Sequence, residues 1–234
     1  MNKFKGLGVA MVTPFNNDGS IDFVGLENLT NHLVEGGVDY LVVMGTTGEN
    51  PTISNEEQQQ ILQKVKEVNA GRLPVVFGIG GNSTEAVVNR IKTEDLSGVD
   101  GILSVSPYYN KPSQEGIFQH FKAIDEATSL PVIMYNVPGR TGSIVSAATT
   151  LRIAQLPNIV ATKEATGSFD ICMDIIQDKP EDFGVISGED GYTLPFISAG
   201  MQGVISVIAN AYPKEFSQMV NYALDGDFKN AKHL

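Results

Sequence analysis

Cysteine is nearly missing from this chain, tryptophan is missing altogether, and basic residues are scarce. The single cysteine, Cys172, allows neither an internal disulfide nor a cysteine-rich metal site, which suits a reducing cytoplasm. It falls in a segment of helical character and reads as a packing residue. With 16 basic residues against 27 acidic ones the formal charge is −11, the wrong sign for a surface that tracks nucleic-acid phosphates. No stretch approaches the roughly 20 apolar residues that a membrane-spanning helix needs. Two lysines and the apolar run Gly6 to Val12 imitate a secretory leader, but the run is short and Thr13-Pro14 follows without a small-residue cleavage pattern. The three histidines, His32, His120 and His233, fall on helices or in the tail, so no metal-ligand pattern emerges. A cytoplasmic protein that binds neither nucleic acid nor membrane, and needs no cofactor, is expected.

What the chain does have is 42% hydrophobic residues, enough for one sizeable core. The apolar residues gather in eight short runs rich in Val, Ile and Gly: Gly6 to Val12, Val38 to Met44, Pro74 to Ile79, Gly101 to Val105, Pro131 to Asn136, Asn158 to Lys163, Gly184 to Ser187 and Gly203 to Val207. Amphipathic segments of helical length separate them: Phe23 to Glu35, Asn55 to Asn69, Thr84 to Leu96, Gln114 to Thr128, Ser146 to Gln155, Phe169 to Gln177 and Tyr192 to Ala199, with Pro213 to Leu224 last. Ser54 with Glu57 forms a capping-box pattern, and Asn82 with Glu85 offers a similar pair. Eight near-continuous apolar strands joined by helices imply a parallel sheet covered by helices and closed as a (β/α)8 TIM barrel. An open doubly wound sheet would place a glycine-rich phosphate turn after the first strand, where this chain has Thr13-Pro14-Phe15. The expected division is a catalytic barrel over residues 1–225 and the start of a helical segment over 226–234.

Reactive residues of such a barrel stand where the strands end. Lys163 follows Ile159, Val160, Ala161 and Thr162, and the two-residue strand period puts it on one face with Ile159 and Ala161. Facing inward it would lose hydration, drop in pKa and keep some free amine able to attack a ketone. A lysine snorkelling to the strand end and paired with Glu164 or another acid fits position alone equally well. Tyr135, ending the adjacent strand, is either a proton carrier for carbinolamine chemistry or an amphipathic core tyrosine. Thr46, in the turn Gly45 to Gly48, is able to hold that phenol, and the Thr46 and Thr47 amides to nest a small carboxylate; an ordinary strand-to-helix turn is the plainer alternative. Arg140 is one of only four arginines and follows a Pro-Gly turn. It is either a bidentate carboxylate clamp or half of a surface ion pair. The acidic pairs Glu56-Glu57 and Asp125-Glu126 read as solvated helix faces.

Taken together, GTTGE at Gly45 to Glu49, SPYYNKP at Ser106 to Pro112, YNVPGRT at Tyr135 to Thr141, KEATG at Lys163 to Gly167 and SGEDG at Ser187 to Gly191 resemble the dihydrodipicolinate synthase family. Strictly this is the 4-hydroxy-tetrahydrodipicolinate synthase family, within the pyruvate-dependent class I aldolases. The resemblance spans the chain. It implies a lyase of lysine and diaminopimelate biosynthesis in which Lys163 forms a Schiff base with pyruvate and the enamine adds to L-aspartate 4-semialdehyde. Tyr135, Thr46 and Tyr109 would form the proton relay, with Tyr109 supplied by the neighbouring subunit of a homodimer or homotetramer. Thr47 would bind the pyruvate carboxylate, Arg140 the second carboxylate, and Gly188 and the Ile205 carbonyl would line the pocket.

Sibling enzymes such as N-acetylneuraminate lyase and the 2-keto-3-deoxy sugar-acid aldolases are the runner-up. The lyase resembles a Ser-Thr version of the strand-two turn and lacks the Pro-Gly-Arg segment, so Thr46-Thr47 and Arg140 favour the synthase. A guanidinium suits a dicarboxylate product where a sugar would want hydroxyl-binding groups. A catalytically idle barrel that binds small acids is the alternative of another class. The resemblance also implies an effector site at Asn82 and Tyr108, although Asn50, Pro51, Asn55 and Gln58 supply no histidine. It further implies a C-terminal helical segment of which this chain carries little.

Overall fold

The computed structural model describes residues 3–234 and contains a closed barrel of eight parallel strands. Strands β1 (Gly6–Ala10), β2 (Tyr40–Val43), β3 (Val75–Gly78), β4 (Gly101–Val105), β5 (Val132–Asn136), β6 (Ile159–Glu164), β7 (Gly184–Ser187) and β8 (Gly203–Ser206) follow one another around the barrel in chain order, and β8 pairs with β1. The helices are α1 (Phe23–Glu35), α2 (Asn55–Asn69), α3 (Thr84–Thr93), α4 (Gln114–Ala127), α5 (Pro138–Thr141), α6 (Ala147–Ile153), α7 (Phe169–Asp178), α8 (Thr193–Ser198), α9 (Pro213–Leu224) and α10 (Phe228–Ala231). The TIM barrel expected from the apolar runs is therefore present. Most runs overreach their strands by one or two residues, because apolar loop residues such as Met11 are as buried as strand residues, and β6 gains Glu164.

Two apolar layers follow from the strand period of two. Leu7, Val9, Leu41, Phe77, Met134 and Val204 face the helices. Ala10, Tyr40, Val42, Ile133, Tyr135, Ala161, Ile186 and Ile205 fill the barrel. Tyr40 occupies the interior near Phe4, with ring centroids 5.6 Å apart. A Cβ on Gly8 would lie 2.2 Å from the Tyr40 ring, so only glycine leaves room for the phenol.

Strand β6 breaks its own period. Val132 pairs with Ile159 but Ile133 pairs with Ala161, which leaves Val160 as an extra residue in a bulge. Ile159 consequently packs in the outer layer while Ala161 faces the interior. Lys163 thus shares its face with Ala161 but not with Ile159, a correction to strict alternation.

Local chemistry starts the helices. Ser54 and Glu57 make the full capping box of α2. At α3 the cap is Ser83, whose hydroxyl accepts from the Ala86 amide, and not Asn82. Serines also cap α4, α6 and α7, each satisfying an amide that the first helical turn leaves open. Cys172 is buried on α7, and burial pushes its thiol up to about 12. No helix among the described residues is long and apolar enough to cross a membrane.

His120 on α4 is buried, with Nδ1 2.8 Å from Thr84 Oγ1 and no partner for Nε2 among the described residues. Burial pulls its pKa down to about 4. The unfolded chain binds this proton near pH ~6.5, so the contribution to stability is intact above that pH and is lost as pH falls through about 4, on the order of 3 kcal/mol. Denaturant midpoints should fall over this acid range, and His120→Phe should flatten part of that fall; an unchanged slope would contradict it.

Candidate active site

At the carboxyl end of the barrel, β5 and β6 set Tyr135 directly beside Lys163 in register. Lys163 is 5% exposed and Tyr135 6%, and the Lys163 Nζ lies 4.3 Å from the centre of the Tyr135 ring. Lys163 makes no ion pair within 4 Å among the described residues. Glu164, which position alone offered as its partner, points to the opposite face and is held by Asn136 and Thr162. Burial draws the lysine pKa down to about 8, against the opposing pull of Asp190 and Glu189. Burial also pushes Tyr135 up to about 12, so its phenol keeps its proton at neutral pH.

A cavity of about 200 Å³ opens in front of Tyr135. Thr46, Tyr108, Tyr135 and Arg140 stand on its wall, as do Asn50, Gly78 and Thr141. Lys163 is not part of this wall; its Nζ lies over the face of the Tyr135 ring. The turn carrying Thr46 and Thr47 is a single 3-10 turn over Thr46–Gly48, flanked by Met44 and Glu49 at φ 58° each, a costly conformation for residues with side chains. Thr13 donates to the Gly48 carbonyl and Asn50 to the Met44 carbonyl, which holds the strained turn. A Cβ on Gly78 would meet the Met44 carbonyl at 2.0 Å, so β3 must present glycine there. The first amides of the turn have no preceding carbonyl to bond and remain available to an anion, although Thr47 itself is only half-buried and off the cavity wall.

Arg140 sits in the single turn of α5, exposed and on the cavity wall. It enters no ion pair among the described residues, contrary to the surface-pair reading. Gly188 packs on the lysine stem: a Cβ there would lie 3.1 Å from Lys163 Cε and 2.8 Å from Ala165 Cβ. Ile205 is buried in the barrel interior. Tyr109 is 87% exposed, with φ 71°, and does not reach this chain's own Lys163 cluster. Asn82 is half-buried, its carbonyl accepting from Asn110, and is absent from the cavity wall that holds Tyr108.

Glu189 and Asp190 were not singled out as site residues from the sequence, although the SGEDG string contains them. Both act electrostatically on Lys163, and Asp190 accepts from the Val207 and Ile208 amides, tying the loop after β7 to that after β8. Among the described residues no cluster of histidine, cysteine and carboxylates could hold a metal.

A buried amine at the end of β6, a phenol against it and a free guanidinium over the adjoining cavity define a (β/α)8 barrel enzyme with a desolvated lysine at its centre. The chain belongs to the dihydrodipicolinate synthetase family, whose model matches residues 3–234. It is 54% identical over 231 residues to a 4-hydroxy-tetrahydrodipicolinate synthase of Parabacteroides distasonis, covering 98% of this chain and 78% of that protein. Among solved structures it resembles dihydrodipicolinate synthase from Thermotoga maritima, with a TM-score of 0.96, 40% identity, and coverage of 99% of this chain and 80% of that one. It also resembles the Acinetobacter baumannii enzyme complexed with pyruvate, with a TM-score of 0.95, 42% identity, and coverage of 98% and 79%.

Because Lys163 is buried with no counter-ion among the described residues, it costs stability. Its lowered pKa makes that penalty absent above about pH 10.5 and complete once pH has fallen through about 8, on the order of 3 kcal/mol. Lys163→Met should therefore melt higher than the wild type at neutral pH, with the gap closing in alkali. A variant that melts lower at neutral pH would contradict it.

Proposed function

We propose that this chain is a 4-hydroxy-tetrahydrodipicolinate synthase, a carbon–carbon lyase that condenses pyruvate with L-aspartate 4-semialdehyde on Lys163. The observation that carries the reading is the buried, unpaired Lys163 amine against the Tyr135 phenol, in a chain about half identical to relatives of that name. The pyruvate complex of the Acinetobacter relative supports a small keto acid as the first substrate.

In this mechanism the Lys163 amine adds to the ketone carbon of pyruvate, and the carbinolamine loses water to give an imine. The protonated Tyr135 phenol supplies the proton that lets hydroxide leave as water, and Thr46 carries protons between the phenol and the cavity. Loss of a methyl proton turns the imine into an enamine, whose carbon attacks the aldehyde. The new alkoxide takes up a proton. The amino group of the second substrate then attacks the imine carbon, closing the ring and releasing Lys163 as free amine. Thr47 and its turn hold the pyruvate carboxylate, with Gly188 giving the lysine stem its space and the Ile205 carbonyl bordering the pocket. Arg140 holds the carboxylate of the aldehyde. Tyr109, exposed at the surface, completes the relay of a second copy in a homo-oligomer of the cytoplasm. The described residues up to 225 carry the catalytic barrel, and α10 packs against α9 after it.

Incubation with pyruvate and borohydride should leave a reduced adduct on Lys163, mapped by mass spectrometry, and trapping should accelerate as pH rises through about 8, where the amine loses its proton. Folded protein without an adduct on Lys163 would refute the reading. Arg140→Ala should lower kcat/KM for aspartate semialdehyde by on the order of 100-fold while pyruvate trapping persists. Unchanged kinetics would remove the clamp and favour a sibling aldolase.

A further inference from the structure

The strand rung beyond Tyr135 and Lys163 carries a second pair, Asn136 and Glu164, facing away from the barrel interior. Both are buried. The Asn136 Nδ2 donates to Glu164 Oε2 at 3.1 Å and to the Val145 carbonyl at 3.0 Å, and the Val145 amide donates back to Asn136 Oδ1 at 3.1 Å. Thr162 Oγ1 lies 2.9 Å from Glu164 Oε1. The main chain of the same residues ties three strands together: the Ala165 amide donates to the Asn136 carbonyl, and the Gly188 amide to the Glu164 carbonyl at 2.7 Å.

Asn136 and Val145 are the two ends of the loop that carries Arg140. Inside it, the Arg140 and Thr141 amides donate to the Val137 carbonyl, and Thr141 Oγ1 bridges the Val137 and Ser143 carbonyls. The loop is closed as a unit, and its base is one asparagine side chain. An amide can be turned over, exchanging its oxygen and nitrogen. Only with Oδ1 toward the Val145 amide and Nδ2 toward the Val145 carbonyl do both base hydrogen bonds form. The second Nδ2 proton needs an acceptor, and Glu164 provides it.

Packing alone gives no reason for this carboxyl. It has no counter-ion within 4 Å among the described residues, burial raises its pKa to about 8, and an apolar side chain of similar volume would fill the space at lower cost. What an apolar side chain cannot supply is the acceptor that fixes the asparagine amide.

We infer that Glu164 is a positioning residue for Arg140: acting through Asn136, it locks the base of the 137–145 loop and so aims the guanidinium at the carboxylate of the second substrate. The inference rests on the reading of Arg140 given above. It separates two functions on one pair of strands, with the reacting groups inward and the latch outward.

The test compares Glu164→Asp, Glu164→Gln and Asn136→Ala by the KM of each substrate, kcat, and borohydride trapping of pyruvate on Lys163. Shortening the carboxyl in Glu164→Asp withdraws it from Asn136 and should raise KM for the aldehyde about tenfold, equivalent to one hydrogen bond between uncharged groups. Pyruvate KM and trapping should stay within about twofold of wild type. Asn136→Ala should show the same split. Glu164→Gln keeps an acceptor for Asn136 and should restore aldehyde KM to within about threefold of wild type. A proportional loss of all parameters, an unmoved aldehyde KM, or a Gln variant as impaired as Asp would each overturn the inference. Should Glu164→Asp and Asn136→Ala fail to fold, Glu164→Met, which keeps the volume but removes the acceptor, replaces them with the same expected split between aldehyde and pyruvate. A wild-type protein that traps no pyruvate on Lys163 would overturn the functional reading itself and this inference with it.

Discussion

Everything in the site depends on an ammonium being kept out of water. Lys163 is enclosed by the barrel wall, by the Tyr135 ring and by the bare backbone of Gly188, and none of the described residues approaches it as a salt-bridge partner. Dehydration favours the neutral amine, which is the form that attacks a carbonyl. The same enclosure raises the neighbouring phenol, so the two groups stand in complementary protonation states near neutrality: an amine that has begun to lose its proton, and a phenol that still holds one. One physical cause thus lowers the amine and raises the phenol together, the pair of shifts on which the proposed chemistry relies.

The barrel accepts several costs around this pair. Met44 and Glu49 sit in left-handed backbone beside the Thr46 turn, and Glu164 is buried with no counter-ion among the described residues. Each is compensated locally. Thr13 and Asn50 hold the turn, Asn136 and Thr162 satisfy Glu164, and Gly78 gives the backbone room where β3 crosses the Met44 carbonyl. These compensations lie at the carboxyl ends of the strands, while the amino-terminal half of the barrel is filled by ordinary packing of Phe4 and Tyr40.

Much of this was legible in the residues. The eight apolar runs gave the strands, and Ser54 with Glu57 gave a helix start, because both signals are local. Position alone left Lys163 balanced between an interior amine and a partner of Glu164; the strand face resolves that balance. The inward placement was correctly anticipated, yet by a period that β6 does not keep, since the Val160 bulge turns Ile159 to the outer layer and a bulge requires a neighbouring strand to define it. Asn82 looked like a cap because it precedes an acidic residue at the right distance, but Ser83 takes the position one residue later.

Glu164 was visible only as a possible mate for the lysine before it. Its real partners, Asn136 and through it Val145, lie on another strand and in another loop, and hydrogen bonds across such sequence separations leave no periodic trace. The sequence by itself determined the fold class, the strand ends and the residue types available there, because burial patterns and turn residues act over a few neighbours. Only the tertiary structure decided that Lys163 meets no counter-ion among the described residues, that Tyr109 turns away from this chain's own site, and that Asn136 closes the base of the Arg140 loop. Those depend on which strands become adjacent when the barrel closes.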